Sequence, residues 1–320
     1  MSGLASSTVS VVIPVRNTVG RIPGLLEALQ RQRPAGARTE AIVVDDGSSD
    51  GSAEAAARAG ARVVSLSDSP GNPAAARNRG AQESRGDPIV FLDADCLPAE
   101  LWLQRILDAH VREDALCVGG SFGLPDGAPW SARSDYYSGW YHVHPGRPAG
   151  WVLHHPPGNL SVRREPFLRG SGFNERHPIA YAHEELRWQA ELARRGRRLY
   201  FEPTARVDHY NRVGFANLLR RSYRWGYSAI ESKSEVDLTR LSRLYRSPVL
   251  ATLLALPSAP AQALWILGCW VRAGKMEPLL HSPNLVAASI AYGAGMALGG
   301  ASWLRRSRLS GVPEARPRWH

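Results

Sequence analysis

Cysteine is scarce: Cys96, Cys117 and Cys269 are the only three in 320 residues. Three are too few for a disulfide framework and their spacing fits no zinc module, so a reducing compartment is expected. Acids are outnumbered, 29 against 39 Lys and Arg, which leaves a net charge of +10. A disordered acidic chain is thereby excluded, and an anionic partner is expected: nucleic acid, a phosphate-bearing small molecule or an acidic membrane surface. No zinc finger, basic zipper or aromatic RNA-stacking motif accompanies the charge, so the reading is no nucleic acid. Glycine-rich phosphate loops are missing as well. Neither G-x-G-x-x-G nor G-x-x-x-x-G-K-S/T follows the first strand, which counts against a dinucleotide site and a P-loop. A secretory signal is not read either, because the first apolar run, Val9 to Val15, is short, contains Pro14 and lacks a cationic lead.

What the sequence does have is alternation. Short β-branched runs at Val9 to Val15, Ala41 to Val44, Arg62 to Leu66 and Ile89 to Leu92 are spaced by helical stretches at Ile22 to Gln32, Ser52 to Ala59 and Ala74 to Glu83, with another at Ala99 to Val111. Strand and helix in that order predict an α/β fold with a doubly wound, mostly parallel sheet. The aromatic segment from Trp130 to Trp151 shows no clear period and reads as a loop.

Ligands of open α/β sheets bind beyond the carboxyl ends of the strands. Asp45 and Asp46 follow the second strand, and Asp93-Ala94-Asp95 follows the fourth. Residues i and i+2 of an extended chain face the same side, so Asp93 and Asp95 present two hard oxygen ligands together. Such ligands suit Mg²⁺ or Mn²⁺. Four carboxylates on one edge of a basic protein repel each other, and a divalent ion resolves that conflict.

These blocks occur in a recognisable order: PVRN (14–17), VVDDGSSDGS (43–52), GNPAAARNRG (71–80), FLDADCLP (91–98), PPGNLSVRREPFLRGSGFNE (156–175), HEELRWQAELARRGRRLYFEP (183–203) and ARVDHY (205–210). The set resembles the inverting family 2 glycosyltransferases of GT-A fold, over roughly residues 8–228. The resemblance implies a metal-dependent transferase that moves a sugar from a nucleotide-sugar donor, a UDP- or GDP-sugar, to a hydroxyl acceptor. It places Pro14, Asn17, Asp46, Arg77 and Asp93 at the donor nucleotide, and Asp95 with His209 at Mn²⁺ or Mg²⁺. Glu185 stands where the family has its catalytic Asp, with Glu184 just before it, and either could be the base. Asn159 falls in the segment lining the acceptor and sugar pocket. Arg224 and Trp225 resemble part of the Gln-x-x-Arg-Trp box of processive synthases, with Arg221 in place of Gln. Two other readings stay open. One is a catalytically weak or inactive glycosyltransferase-like membrane module, and the other is a nucleotidyltransferase.

The last quarter differs. Ser247 to Val271 and Ser282 to Leu304 carry no charge, and Arg residues flank both. Each is long enough to cross a bilayer. The expectation is a catalytic domain at 1–245 and a hydrophobic helical hairpin with a basic tail at 246–320. The hairpin would be membrane-associated or membrane-spanning, at the cytoplasmic face of the bacterial cell membrane, and the acceptor lipid-linked.

Overall fold

The β-branched start of the chain forms β1 (Ser7–Val15), an inner strand of a nine-stranded sheet. The structure is a computed structural model and describes residues 7–66, 71–176, 183–234, 236, 245 and 247–309. β1 pairs in parallel with β2 (Ala37–Asp45) and with β4 (Ile89–Leu92), and β2 pairs in parallel with β3 (Arg62–Ser65). Helices α1 (Ile22–Arg31), α2 (Ser52–Arg58) and α3 (Pro73–Glu83) connect these strands. Coverage by helices explains why β1 and β4 read as unbroken apolar runs rather than alternating ones. Pro14 is tolerated inside β1 because β4 pairs only with Ser10 to Val12, which leaves the Pro14 end without that neighbour.

The second half of the sheet is mixed. The remaining strands are β5 (Cys96–Pro98), β6 (Cys117–Gly123), β7 (Gly150–Val152), β8 (Asn159–Val162) and β9 (Leu199–His209), in the overall order β3-β2-β1-β4-β8-β6-β9-β5 with β7 on β9. β8 is antiparallel to β4 and β6, and β5 is antiparallel to β9. The expected doubly wound, mostly parallel arrangement is present, with its antiparallel pairs confined to this half. Helices α4 (Trp102–Arg112), α5 (Trp130–Gly139), α6 (Arg164–Leu168) and α7 (Leu186–Arg194) complete it. The Trp130 to Trp151 segment read as a loop therefore opens with a ten-residue helix. Its apolar and polar residues are both buried, among them Ser134, Asp135, Tyr136 and Tyr137, so no amphipathic period was available to reveal it.

Phe91, Phe167, Phe173 and Trp188 form the aromatic centre of the core, with ring centroids 5.0 Å apart for Phe91–Phe173 and for Phe167–Trp188. His110 and His155 are among the buried histidines. His110 bonds Ala115 O and Ser161 Oγ, and His155 has Pro156 O and Gly120 O at its two ring nitrogens and, when neutral, donates to one of them. Burial pushes both down to about 4 from the usual 6.5. Folded, they stay neutral where the unfolded chain takes up protons. Their contribution is therefore full above pH 6.5 and is lost as pH falls towards 4. Urea midpoints measured across that window are expected to fall on acidification, and a flat profile would contradict the assignment.

The chain divides into two units, Met1–Val213 and Gly214–His320. The second holds α8 (Phe215–Ser234), α9 (Pro248–Leu254), α10 (Ala259–Arg272), a 3-10 turn (Glu277–Leu279) and α11 (Ser282–Leu309). The division between the two compact units falls at 213/214. α8 packs along α11, but its charged residues give no compositional break at 214. The loss of charge at 247 was the only visible signal.

Candidate active site

The carboxyl ends of β1 and β2 build one rim. Asn17 sits in the left-handed region, φ 53°, a conformation Asn tolerates better than most residues. Its backbone N–H donates to Ser48 Oγ at 3.0 Å, and its side-chain carbonyl accepts from Ser49 N at 2.9 Å. These bonds tie the turn after Pro14 to the turn after β2. Asp45 accepts from Ser48 N within that turn. Asp46 is 1% exposed, and its Oδ1 accepts from Gly71 N at 2.8 Å. Burial raises the Asp46 pKa, opposed by the Gly71 N–H and by Arg16. Its Oδ2 is buried with no hydrogen-bond partner among the described residues. A buried acceptor without a donor is costly alone and suits an incoming N–H, such as that of a base.

Asp93 and Asp95 emerge from β4. Asp93 can stand here because Gly158 has no side chain, as a Cβ on Gly158 would collide with the Asp93 carboxylate. The antiparallel pairing of β5 with β9 sets Cys96 opposite His209. As a result His209 Nε2 lies 3.5 Å from Asp95 Oδ1, although 114 residues separate them in sequence. Tyr210 N also donates to Asp95 O at 2.8 Å. The imidazole is walled by Trp140 at 4.7 Å and Phe122 at 6.0 Å between centroids, and its Nδ1 is buried without a partner among the described residues. Asp95, Cys96 and His209 place ligand atoms within 4.8 Å of one another. Burial and the neighbouring Asp95 and Asp93 raise the Cys96 thiol well above its usual pKa. That leaves a carboxylate oxygen and an imidazole nitrogen, a donor pair that fits Mn²⁺ or Mg²⁺ with an otherwise open coordination sphere.

Arg77 reaches from α3 to the end of β4. It is 2% exposed and clamps two carboxylates, donating from Nη2 to Asp93 Oδ1 at 2.6 Å and from Nη1 to Glu184 Oε1 at 2.8 Å. Both terminal nitrogens are engaged inside the protein, one of them at the carboxylate that the resemblance sets beside the nucleotide. Arg77 thereby couples the end of β4 to the segment before α7. That segment is fixed further by Asn78, whose amide donates to Phe173 O at 2.9 Å and to Glu175 Oε1 at 2.8 Å, while Asn174 N donates to Glu184 O at 2.8 Å. His183 takes φ 63°, an uncommon value for a non-glycine residue, in the turn that leads into Glu184 and Glu185. Glu185 is 7% exposed and forms the N-cap position of α7.

Asn159 lies at the start of β8. It is fully buried; its Nδ2 donates to Ser121 O and Ala205 O, both at 3.0 Å, and its Oδ1 accepts from Trp102 Nε1 at 2.8 Å. It joins β8 to β6 and β9. Arg224 and Trp225 lie on α8 of the second unit, where the Arg221 guanidinium sits 4.4 Å from the Trp225 ring. Asn78 and Gly158 were missed by sequence reasoning. Each lay inside a quoted block, but only the pairing of distant loops shows what they do.

The family model described as "Glycosyl transferase family 2" matches residues 10–170. The chain is 33% identical over 136 residues to the glycosyltransferase AglE of Haloferax volcanii, covering 41% of this chain and 45% of that protein. It is 30% identical over 237 residues to the pre-mycofactocin glycosyltransferase of Mycobacterium tuberculosis, covering 71% of this chain and 48% of that protein. The chain thus spans about half the length of these curated relatives. In fold it is similar to the mannosyltransferase PcManGT of Pyrobaculum calidifontis, solved with GDP-Man and Mn²⁺. The TM-score is 0.58 at 18% identity, over 96% of this chain and 88% of that one.

Proposed function

The chain belongs to glycosyl transferase family 2, and on that premise we propose that it transfers a sugar, with inversion, from a UDP- or GDP-sugar to a hydroxyl acceptor. The observation that carries the reading is the convergence of Asp95 with His209 on the same sheet edge as the Arg77-held Asp93 and Glu184. Asp46 Oδ2 receives an N–H of the base, and Asp93 accepts from the ribose. Asp95 and His209 are the residues that would hold Mn²⁺ or Mg²⁺, which when bound supplies positive charge to the departing diphosphate. Glu185 takes the proton of the acceptor hydroxyl as that oxygen attacks the anomeric carbon and the diphosphate oxygen leaves from the opposite face. Glu184 is set aside as base because its Oε1 is committed to Arg77.

The uncharged C-terminal segments support a further part of the proposal: action at the cytoplasmic face of the bacterial membrane on a lipid-linked acceptor. One described helix, Ser282–Ser307, is long and apolar enough to cross a membrane, and α9 with α10 form a bent pair that passes the same test together.

A thermal-shift panel of UDP-, GDP- and dTDP-sugars with Mn²⁺ tests the donor reading. A donor at ~100 Kd stabilises by about 2.7 kcal/mol. Asp95→Ala is expected to remove the Mn²⁺-dependent part of the shift. No shift and no donor hydrolysis with any nucleotide-sugar would overturn the assignment.

A further inference from the structure

The second unit hides one apolar helix face and displays another. In α10 the buried positions Ala259, Ala263, Ile266 and Trp270 form a single stripe at helical spacing. On a surface helix the opposite side is ordinarily charged. Here it carries Leu264, 70% exposed, and Trp265, 61% exposed. α9 repeats the pattern, with Ala251 buried and Leu253 69% exposed. Cations appear only at the border of this face. The Arg272 guanidinium lies 5.3 Å from the Trp265 ring, and Lys275 follows on the next turn of chain. An uncharged apolar face edged by a cation and an amphipathic ring matches the chemistry of a bilayer interface, where the ring sits at headgroup level and the cations meet anionic lipid.

The bend decides how deep the contact goes. α9 and α10 meet at 83°. With 7 and 14 residues they are about 10 and 21 Å long, each short of the roughly 30 Å hydrocarbon core. α11 is long enough alone, but α8 lies along it. A Cβ on Gly226, Gly295 or Gly299 would collide with the backbone of the facing helix. Lys233 Nζ donates to Tyr292 Oη at 3.0 Å, and Arg306 pairs with Glu231 at 2.9 Å. α8 also carries Arg220, Arg221 and Arg224. Drawing this helix into hydrocarbon beside α11 would cost roughly 2.5–3.5 kcal/mol for each buried charge.

We propose that the α9–α10 elbow inserts into one leaflet of an anionic bilayer, with Arg272 and Lys275 at the headgroups, and that α11 does not cross. This rests on the membrane reading above and narrows it to one mode of attachment. The test is flotation of the full chain with vesicles of phosphatidylcholine, alone or mixed with phosphatidylglycerol, together with alkaline carbonate extraction of native membranes. The wild type is expected to float with the anionic vesicles only, to detach in high salt and to be released by carbonate. Leu253→Glu with Leu264→Glu is expected to lower the bound fraction at least about tenfold. Both side chains are exposed, so the melting temperature and the donor-induced shift are expected to hold. Resistance to carbonate, binding to phosphatidylcholine alone, or undiminished binding of the double variant would sink the one-leaflet elbow while leaving membrane association standing. A lipid-free dimer that the double variant disperses would make a second copy of the chain the occupant and overturn the proposal. Failure to float with any vesicle would overturn both readings and leave the donor assignment untouched.

Discussion

Glu185→Gln is expected to lower kcat by about 10²–10⁴-fold while the donor-induced thermal shift is kept, because it removes a proton acceptor and little volume. The choice of Glu185 rests on the Arg77 clamp. Glu184 is 4% exposed with Oε1 held at 2.8 Å, so removing a proton from substrate would compete with an ion pair already formed. A second substitution tests whether the backbone is fitted to the longer acid. Glu185→Asp withdraws the carboxylate by up to about one C–C bond length, 1.5 Å, and a misplacement of that order costs ~10²-fold. If Glu185→Gln keeps its activity and Glu184→Gln loses it, the two roles are exchanged and the proposed base is wrong.

Arg77→Met is the second large effect, and it is expected to appear in stability before kinetics. It would leave the Glu184 carboxylate buried and Asp93 partly buried without their shared cation. Breaking a buried pair from one side costs about 3–5 kcal/mol. In a chain of this size that is a fall in Tm of several degrees. Adding Glu184→Gln to Arg77→Met is expected to recover part of the loss, since the two residues touch and their effects are not additive. Arg77→Lys keeps the charge but lacks the fork that reaches both carboxylates, so it should recover little. An arginine that served only to contact the diphosphate would behave otherwise, raising the donor KM with an unchanged Tm. That result would discard the clamp.

Much of the first unit was legible because its information is local. β1 to β4 and the three helices between them follow from β-branched runs, turn residues and helix starts, and their observed limits fall close to those expected. The DXD acids were legible for the same reason. What could not be read was pairing across distance. Nothing local in ARVDHY says that β9 lies antiparallel to β5, so the meeting of His209 with Asp95 came only through the family resemblance. Arg77 and Asn159 enter by resemblance, and neither the burial nor the hydrogen bonds of either could be read locally. Whether an Arg on an Ala-rich helix faces a ligand or two carboxylates depends on partners 16 and 107 residues away. The division at 213/214 carries no compositional mark because α8 is charged and amphipathic, like helices of the first unit, and its apolar partner α11 comes some fifty residues later.

The pairing of β6 with β9 shifts between Gly120 and Ser121: Gly120 faces Glu202 but Ser121 faces Arg206, so Pro203 to Ala205 have no counterparts. The detour is stapled by Ser121 Oγ to Pro203 O at 2.7 Å and by Asn159 to Ala205 O. Three surplus residues is an odd number, and side chains alternate along a strand, so the detour inverts the parity of everything downstream. A chain shorter or longer by one residue there would exchange Asp208 and His209 between the two faces of the strand. The detour therefore behaves as a ruler: its composition can drift, but its count sets which side chain arrives opposite Cys96, within reach of Asp95.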